Sequence, residues 1–270
     1  MKKLLIFILV IIFIPKISYT KSYKADFYYP NGDGPFPVVI MSHGRGGPSL
    51  TYHKKAEGAT RSGRAAIVLD HYTNRGEYGN KFRKFPKTVD GKKWREKDLV
   101  DLLETLKDKK KINRKKIILI GWSAGAGMVL PFISIPRKIK LQNDVSIAGA
   151  ILTYPYTYGC YEDFSSFSVP VLINYGKLDG NDGNPLSGYF CWKEKLSKLK
   201  HNKFPVIFKE YEGAYHGYDL PFLKKHPKRC REVQYRDGKG QSCMEFNERA
   251  FKKTIISNKK FINKVLQNKK

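Results

Sequence analysis

Apolar positions along this chain gather in short dense runs separated by polar stretches, and the spacing within them switches between two periods. Pro37–Met41, Ala65–Asp70, Ile117–Ile120, Ile147–Thr153 and Val169–Tyr175 are nearly continuous apolar runs rich in Val and Ile. Strands buried on both faces have this pattern, because neither face alternates toward water. Pro205–Tyr211 predicts a further strand, and Ala25–Tyr29 an edge strand. Between the runs the period lengthens. Leu99, Leu102, Leu103 and Leu106 fall at i, i+3, i+4 and i+7, one stripe of an amphipathic helix. Trp192, Leu196 and Leu199 mark a second helix, and Phe251, Ile255, Ile262 and Leu266 a closing one. A helix follows Ile117–Ile120 through Met128-Val129-Leu130 and must end or kink at Pro131. Strand and helix alternating in this way predict the α/β class, a mostly parallel central sheet with helices on both faces. No internal repeat or second domain is visible, so residues 21–270 are expected to form one domain, with 217–247, weakly periodic, as an ordered insertion.

The N-terminus stands outside this pattern. Lys2 and Lys3 precede the unbroken apolar run Leu4–Ile14, followed by Pro15 and polar residues. The run is too short to span a bilayer, which needs about 20 apolar residues, and it has the form of a secretory signal. Residues 1–20 are expected to be removed on export to a periplasm or the medium; an uncleaved N-terminal anchor is the alternative. No cysteine follows at a lipoprotein position. Cys160, Cys191, Cys230 and Cys243 all lie in the exported part, where an even count favours two disulfides. Four cysteines allow three connectivities; pairing Cys230 with Cys243 would close a short Lys/Arg/Gly-rich loop with little apolar content of its own. No spacing points to zinc or another metal, and no cofactor is expected.

The net formal charge of +27 raises the question of nucleic acid. The lysines, however, are spread over helix faces and loops, with local runs only at 107–116, 224–231 and the C-terminal end. A solvated surface, with electrostatic attraction to an anionic envelope surface, accounts for the charge without a specific nucleic-acid site.

Candidate chemistry centres on Gly121-Trp122-Ser123-Ala124-Gly125, set between the buried run Ile117–Ile120 and a helix. A Gly-x-Ser-x-Gly turn there lifts the serine hydroxyl clear of the sheet edge at a helix N-terminus. A serine hydroxyl is a poor nucleophile until a base takes its proton and an acid orients the base. Downstream, Asp179 lies just past the run Val171–Tyr175, and His216 lies in the glycine-flanked loop Gly213–Gly217 after the last strand. Both are strand-end positions, where side chains of open α/β sheets converge. Ser123 is therefore expected to act as nucleophile, His216 as general base and acid, and Asp179 as orienting acid, with Asp182 as the rival acid. The oxyanion would be held by the backbone N–H of Ala124 and by a donor from Ser42-His43-Gly44-Arg45-Gly46-Gly47, with Arg45 first and Gly44 second. His43 is expected to orient that loop, while His53, His71, His201 and His226 take surface or structural roles. Arg75 could bind a substrate carboxylate, but a salt bridge within its own loop is the simpler expectation.

These segments together resemble the dienelactone hydrolase family of α/β-hydrolases, in particular its exported members. The similarity runs through Val38–Gly44, Val68–Gly76, Ile117–Gly125, Tyr154-Pro155, Gly176–Asp179 and Tyr211–Asp219. The resemblance implies an α/β-hydrolase fold, a triad at Ser123, Asp179 and His216, and a disulfide between Cys160 and Cys191. The founding enzymes of the family carry cysteine at the elbow, where this chain has Ser123, so ordinary carboxylic esters are expected as substrates in place of dienelactone. The function expected is an exported serine hydrolase acting on a small-molecule ester through an acyl-enzyme. The alternatives are an α/β-hydrolase peptidase, an acyltransferase, and a non-catalytic basic envelope protein binding a polyanion.

Overall fold

The computed structural model describes residues 22–76, 89–136, 139–142, 144–155, 160, 163–180, 188–199, 203–235 and 238–267. The predicted signal segment, Asp182 and His201 lie outside them. The strands are β1 (Lys24–Tyr28), β2 (Phe36–Ser42), β3 (Ala65–Asp70), β4 (Ile112–Trp122), β5 (Ser134–Ile135), β6 (Ile147–Thr153), β7 (Ser166–Phe167), β8 (Val171–Gly176), β9 (Val206–Tyr211), β10 (Arg229–Tyr235) and β11 (Gly238–Met244). The α-helices are α1 (Leu50–Thr60), α2 (Val89–Thr105), α3 (Ala124–Ile133), α4 (Gly188–Ser197) and α5 (Glu248–Gln267).

Seven strands form one twisted sheet in the order β1-β3-β2-β4-β6-β8-β9. Only β1 runs antiparallel, at the edge; every other pair is parallel. The continuous apolar runs lie where that pattern puts them: β3 and β8 are buried along their whole length, and β2, β4 and β6 along most of theirs. The order reverses direction at β2, and right-handed crossovers then place α1 and α2 on opposite faces. Arg64, just past α1, hydrogen-bonds Asn263 of α5, so these two helices share a face. The architecture is the α/β-hydrolase fold.

Several elements depart from the sequence expectation, among them β5, β7 and the hairpin strands β10 and β11, which no apolar run announced. Helix α1 was invisible to periodicity because it buries only Tyr52 and Ala56, one turn apart. Strand β4 begins at Ile112 and carries the polar stretch Asn113–Lys116 beyond the core before its apolar half enters the sheet. In α5 the stripe is phased differently from the expectation. Ala250, Thr254, Phe261, Ile262 and Val265 face the core, while Ile255 and its neighbour Ile256 are exposed. The buried stripe runs from Ala250 and Thr254 to Phe261, Ile262 and Val265, which leaves Ile255 and Ile256 outside it. Pro131 sits within the last turn of α3, which ends at Ile133.

The stretch between β9 and α5 holds a short 3-10 turn, Pro221–Lys225, and then the antiparallel hairpin β10–β11. Cys230 and Cys243 face each other in register and are disulfide-bonded, as are Cys160 and Cys191. Among the described residues no helix is long and apolar enough to cross a membrane.

Candidate active site

The site is built where the parallel strands end. At the elbow, Ser123 adopts φ +51°, a left-handed conformation that side chains rarely take. The turn can be this sharp only because its flanks lack a Cβ. A Cβ on Gly125 would run into the carbonyl oxygens of Ser42 and His43 at the end of β2, and one on Gly121 would strike the backbone of Ala126. The Ser123 N–H donates to Thr153 O at 3.0 Å, which pins the elbow to the end of β6. Ala124 is the first residue of α3, so its N–H has no acceptor within the helix.

The acid and the histidine arrive on neighbouring loops. Asp179 follows β8 in a turn closed by Asp179 N–H to Gly176 O at 3.1 Å. The Leu178 N–H donates to Ala214 O at 3.0 Å, stitching that turn to the loop that carries His216. His216 Nδ1 lies 2.9 and 3.0 Å from the two Asp179 carboxylate oxygens, and His216 Nε2 lies 3.0 Å from Ser123 Oγ. A proton on Nδ1, donated to the carboxylate, leaves Nε2 as acceptor for the serine O–H. Asp179 is buried, whereas the His216 side chain retains 22% exposure, so the chain of hydrogen bonds opens outward at the serine end. The backbone N–H of His216 donates to Cys243 O at 3.2 Å, so the disulfide-bonded hairpin braces the histidine directly. The structure thus brings Ser123, Asp179 and His216 into one hydrogen-bonded row.

The loop after β2 lies against the nucleophile: a Cβ on Gly44 would sit 3.6 Å from Ser123 Cβ. The Gly44 N–H already donates to the Tyr52 hydroxyl at 3.1 Å. His43 is fully buried behind this loop. It accepts the His71 N–H at Nε2 (3.2 Å), and its Nδ1 lies 2.6 Å from Gly44 O, which makes it an anchor of the loop. The buried Arg95 guanidinium donates to the carbonyls of His43 and Gly44 at 3.2 and 3.3 Å. Arg75 is committed within the protein. It makes a two-pronged ion pair with the buried Asp98, at 2.7 and 2.9 Å, and lies 4.0 Å from the Trp94 ring centre. His53 pairs with the Tyr28 hydroxyl and His226 with Arg229, both away from the serine–histidine–aspartate row.

Sequence reasoning missed a second buried layer. Asp219, three residues past His216, is fully buried and accepts hydrogen bonds from Lys55 Nζ (2.8 Å), Trp122 Nε1 (2.9 Å) and the Tyr154 hydroxyl (2.5 Å). Burial by itself would raise the carboxyl of Asp219, but the Lys55 cation and these hydrogen bonds outweigh it and hold it below the ordinary aspartate value. The Tyr154 ring lies 4.6 Å from the His216 ring, centre to centre. Its only advance signal was an aspartate in an otherwise apolar and aromatic run, Tyr218-Asp219-Leu220-Pro221-Phe222.

Similar folds are known. The chain superimposes with a TM-score of 0.61 on a dienelactone hydrolase-like promiscuous phosphotriesterase from metagenomic libraries, at 13% identity, covering 89% of this chain and 92% of that one. Esterase 2 of Thermogutta terrifontis, phosphonylated by cyclosarin, matches with a TM-score of 0.62 at 14% identity, covering 90% and 89%. At these identities the likeness establishes the fold. No curated protein sequence matches the chain. The model of the dienelactone hydrolase family matches residues 24–254, from β1 into α5. The chain therefore belongs to the dienelactone hydrolase family.

Proposed function

We propose that the protein is an exported serine hydrolase that cleaves carboxylic esters through an acyl-enzyme. The observation that carries this reading is the row Ser123 Oγ, His216 Nε2, His216 Nδ1 and Asp179, each link within 3.0 Å. In the reaction His216 Nε2 takes the Ser123 proton as Oγ attacks the ester carbonyl. Asp179 holds the imidazole in the required tautomer and stabilises its cationic form. The oxyanion of the tetrahedral intermediate is held by the N–H of Ala124 and that of Arg45, while Gly44 supports the loop through Tyr52. The alcohol leaves with the proton from His216. A water then attacks the acyl-enzyme by the same route and the acid departs. Two disulfides in the exported part of the chain favour an oxidising compartment.

The test uses mature oxidised protein beside Ser123→Ala, with a fluorophosphonate probe and p-nitrophenyl esters of short and medium chain length. A related esterase is known phosphonylated, which recommends the probe. Wild type is expected to label and to turn over, and Ser123→Ala to lose labelling and at least about a thousand-fold in kcat. A folded wild type that neither labels nor hydrolyses would overturn the reading.

A further inference from the structure

We propose that Asp219 and its partner Lys55 are positioning residues that hold nucleophile and base in register from behind the site. The inference rests on the serine hydrolase reading above, but the geometry exists independently of it.

A buried ion pair is poor support for stability. Exchanging one for apolar residues of similar volume is often neutral or stabilising, whereas removing one partner strands a charge. Its placement is informative here. Trp122, bonded to Asp219, immediately precedes Ser123. Tyr154, also bonded to Asp219, packs its ring on His216 and follows Thr153, whose carbonyl accepts the Ser123 N–H. Asp219 itself closes the short segment that begins at His216. One carboxylate therefore touches the nucleophile strand, the aromatic floor under the imidazole, and the loop that carries the imidazole. Tyr154 is held at φ +36°, a conformation its neighbours must maintain, and the hydrogen bond to Asp219 fixes its far end.

The residue type follows from donor arithmetic. Three donors converge on Asp219, and an ionised carboxylate accepts all of them, while an asparagine would turn an NH2 group toward at least one. Such a concentration of donors needs the charge, and the charge needs a cation. Lys55 supplies it from α1, with its ammonium 5.4 Å from the Trp122 ring centre and 5.3 Å from that of Phe251.

The experiment compares wild type with Asp219→Asn, Tyr154→Phe, Lys55→Met and Lys55→Arg. Steady-state kinetics on p-nitrophenyl acetate are read beside the far-downfield proton resonance of a histidine Nδ1–H bonded to a carboxylate. Small misplacements of catalytic groups cost up to about a hundred-fold in rate. Asp219→Asn and Lys55→Met are thus expected to lower kcat roughly ten- to a hundred-fold with KM nearly unchanged, and to broaden or erase the resonance. Lys55→Arg is expected to recover most of both. Tyr154→Phe keeps the ring and removes only its anchor, so it carries the test if Asp219→Asn fails to fold. Unchanged kcat and an unchanged resonance in Tyr154→Phe and Lys55→Met would overturn the proposal. A wild type that shows the resonance, loses it in these variants, and hydrolyses no ester would uphold the positioning role and refute the hydrolase reading instead.

Discussion

His71 shows how a residue placed beside a carboxylate can still be held neutral. Its Nδ1 lies 2.8 Å from Asp98, which would ordinarily favour protonation. Burial, with Arg95 and Arg75 close by, drives its pKa well below the usual 6.5, and Arg75 already neutralises Asp98. As pH falls through 6.5 the unfolded chain takes up a proton that folded His71 refuses, so stability declines on acidification with a slope that approaches about 1.4 kcal/mol per pH unit below 6.5. Urea unfolding at pH 7, 6 and 5.5 should show this slope, flattened in His71→Gln; equal slopes would mean that another group governs it. At this scale the sequence was informative only where a residue has few possible uses. Serine between two elbow glycines is such a case. Lys55 is the opposite case: one lysine among fifty-one Lys and Arg residues looks like any solvated position until its distant partner at 219 is in place. Arg75 was legible as one of two roles, and Asp98, from a different helix, decided between them.

Among the elements, the hairpin β10–β11 has the most direct tie to chemistry. Its residues Arg229–Glu232 are exposed, yet the carbonyl of Cys243 receives the N–H of His216, and Met244 pairs with His216 in a parallel bridge. The Cys230–Cys243 bond keeps the two strands together, which for a loop of this length contributes on the order of 3 kcal/mol. Replacing both cysteines by serine should therefore cost more activity than the loss of global stability explains. At temperatures where the variant remains folded by circular dichroism, kcat should fall about ten-fold or more. Parallel activity and stability losses would show that the hairpin is only a staple. The hairpin was hard to read because its Arg, Lys, Gly and Gln residues carry no apolar period. The central strands had the reverse property, since burial on both faces leaves continuous Val/Ile runs. Helix α1 fell between the two cases, with too few buried positions to make a stripe.

For the whole molecule, the mostly parallel sheet with helices on both faces was legible in the alternation of strand and helix, whereas the strand order came only with the structure. The net charge of +27 acts at this scale as well. It should carry the protein to vesicles containing anionic lipid at low ionic strength and release it as the screening length falls from about 10 Å at 0.1 M salt to about 3 Å at 1 M. Co-sedimentation that is equal on neutral and anionic vesicles would remove electrostatics from the account of where the protein resides. The position of the hairpin in the chain also governs timing. Ser123 and Asp179 emerge from the ribosome, or from a translocation channel, well before His216 and before the cystine that braces it. A chain interrupted anywhere short of Cys243 carries Ser123 with His216 unsecured, so the hydrogen-bonded row is the last part of the site to be completed.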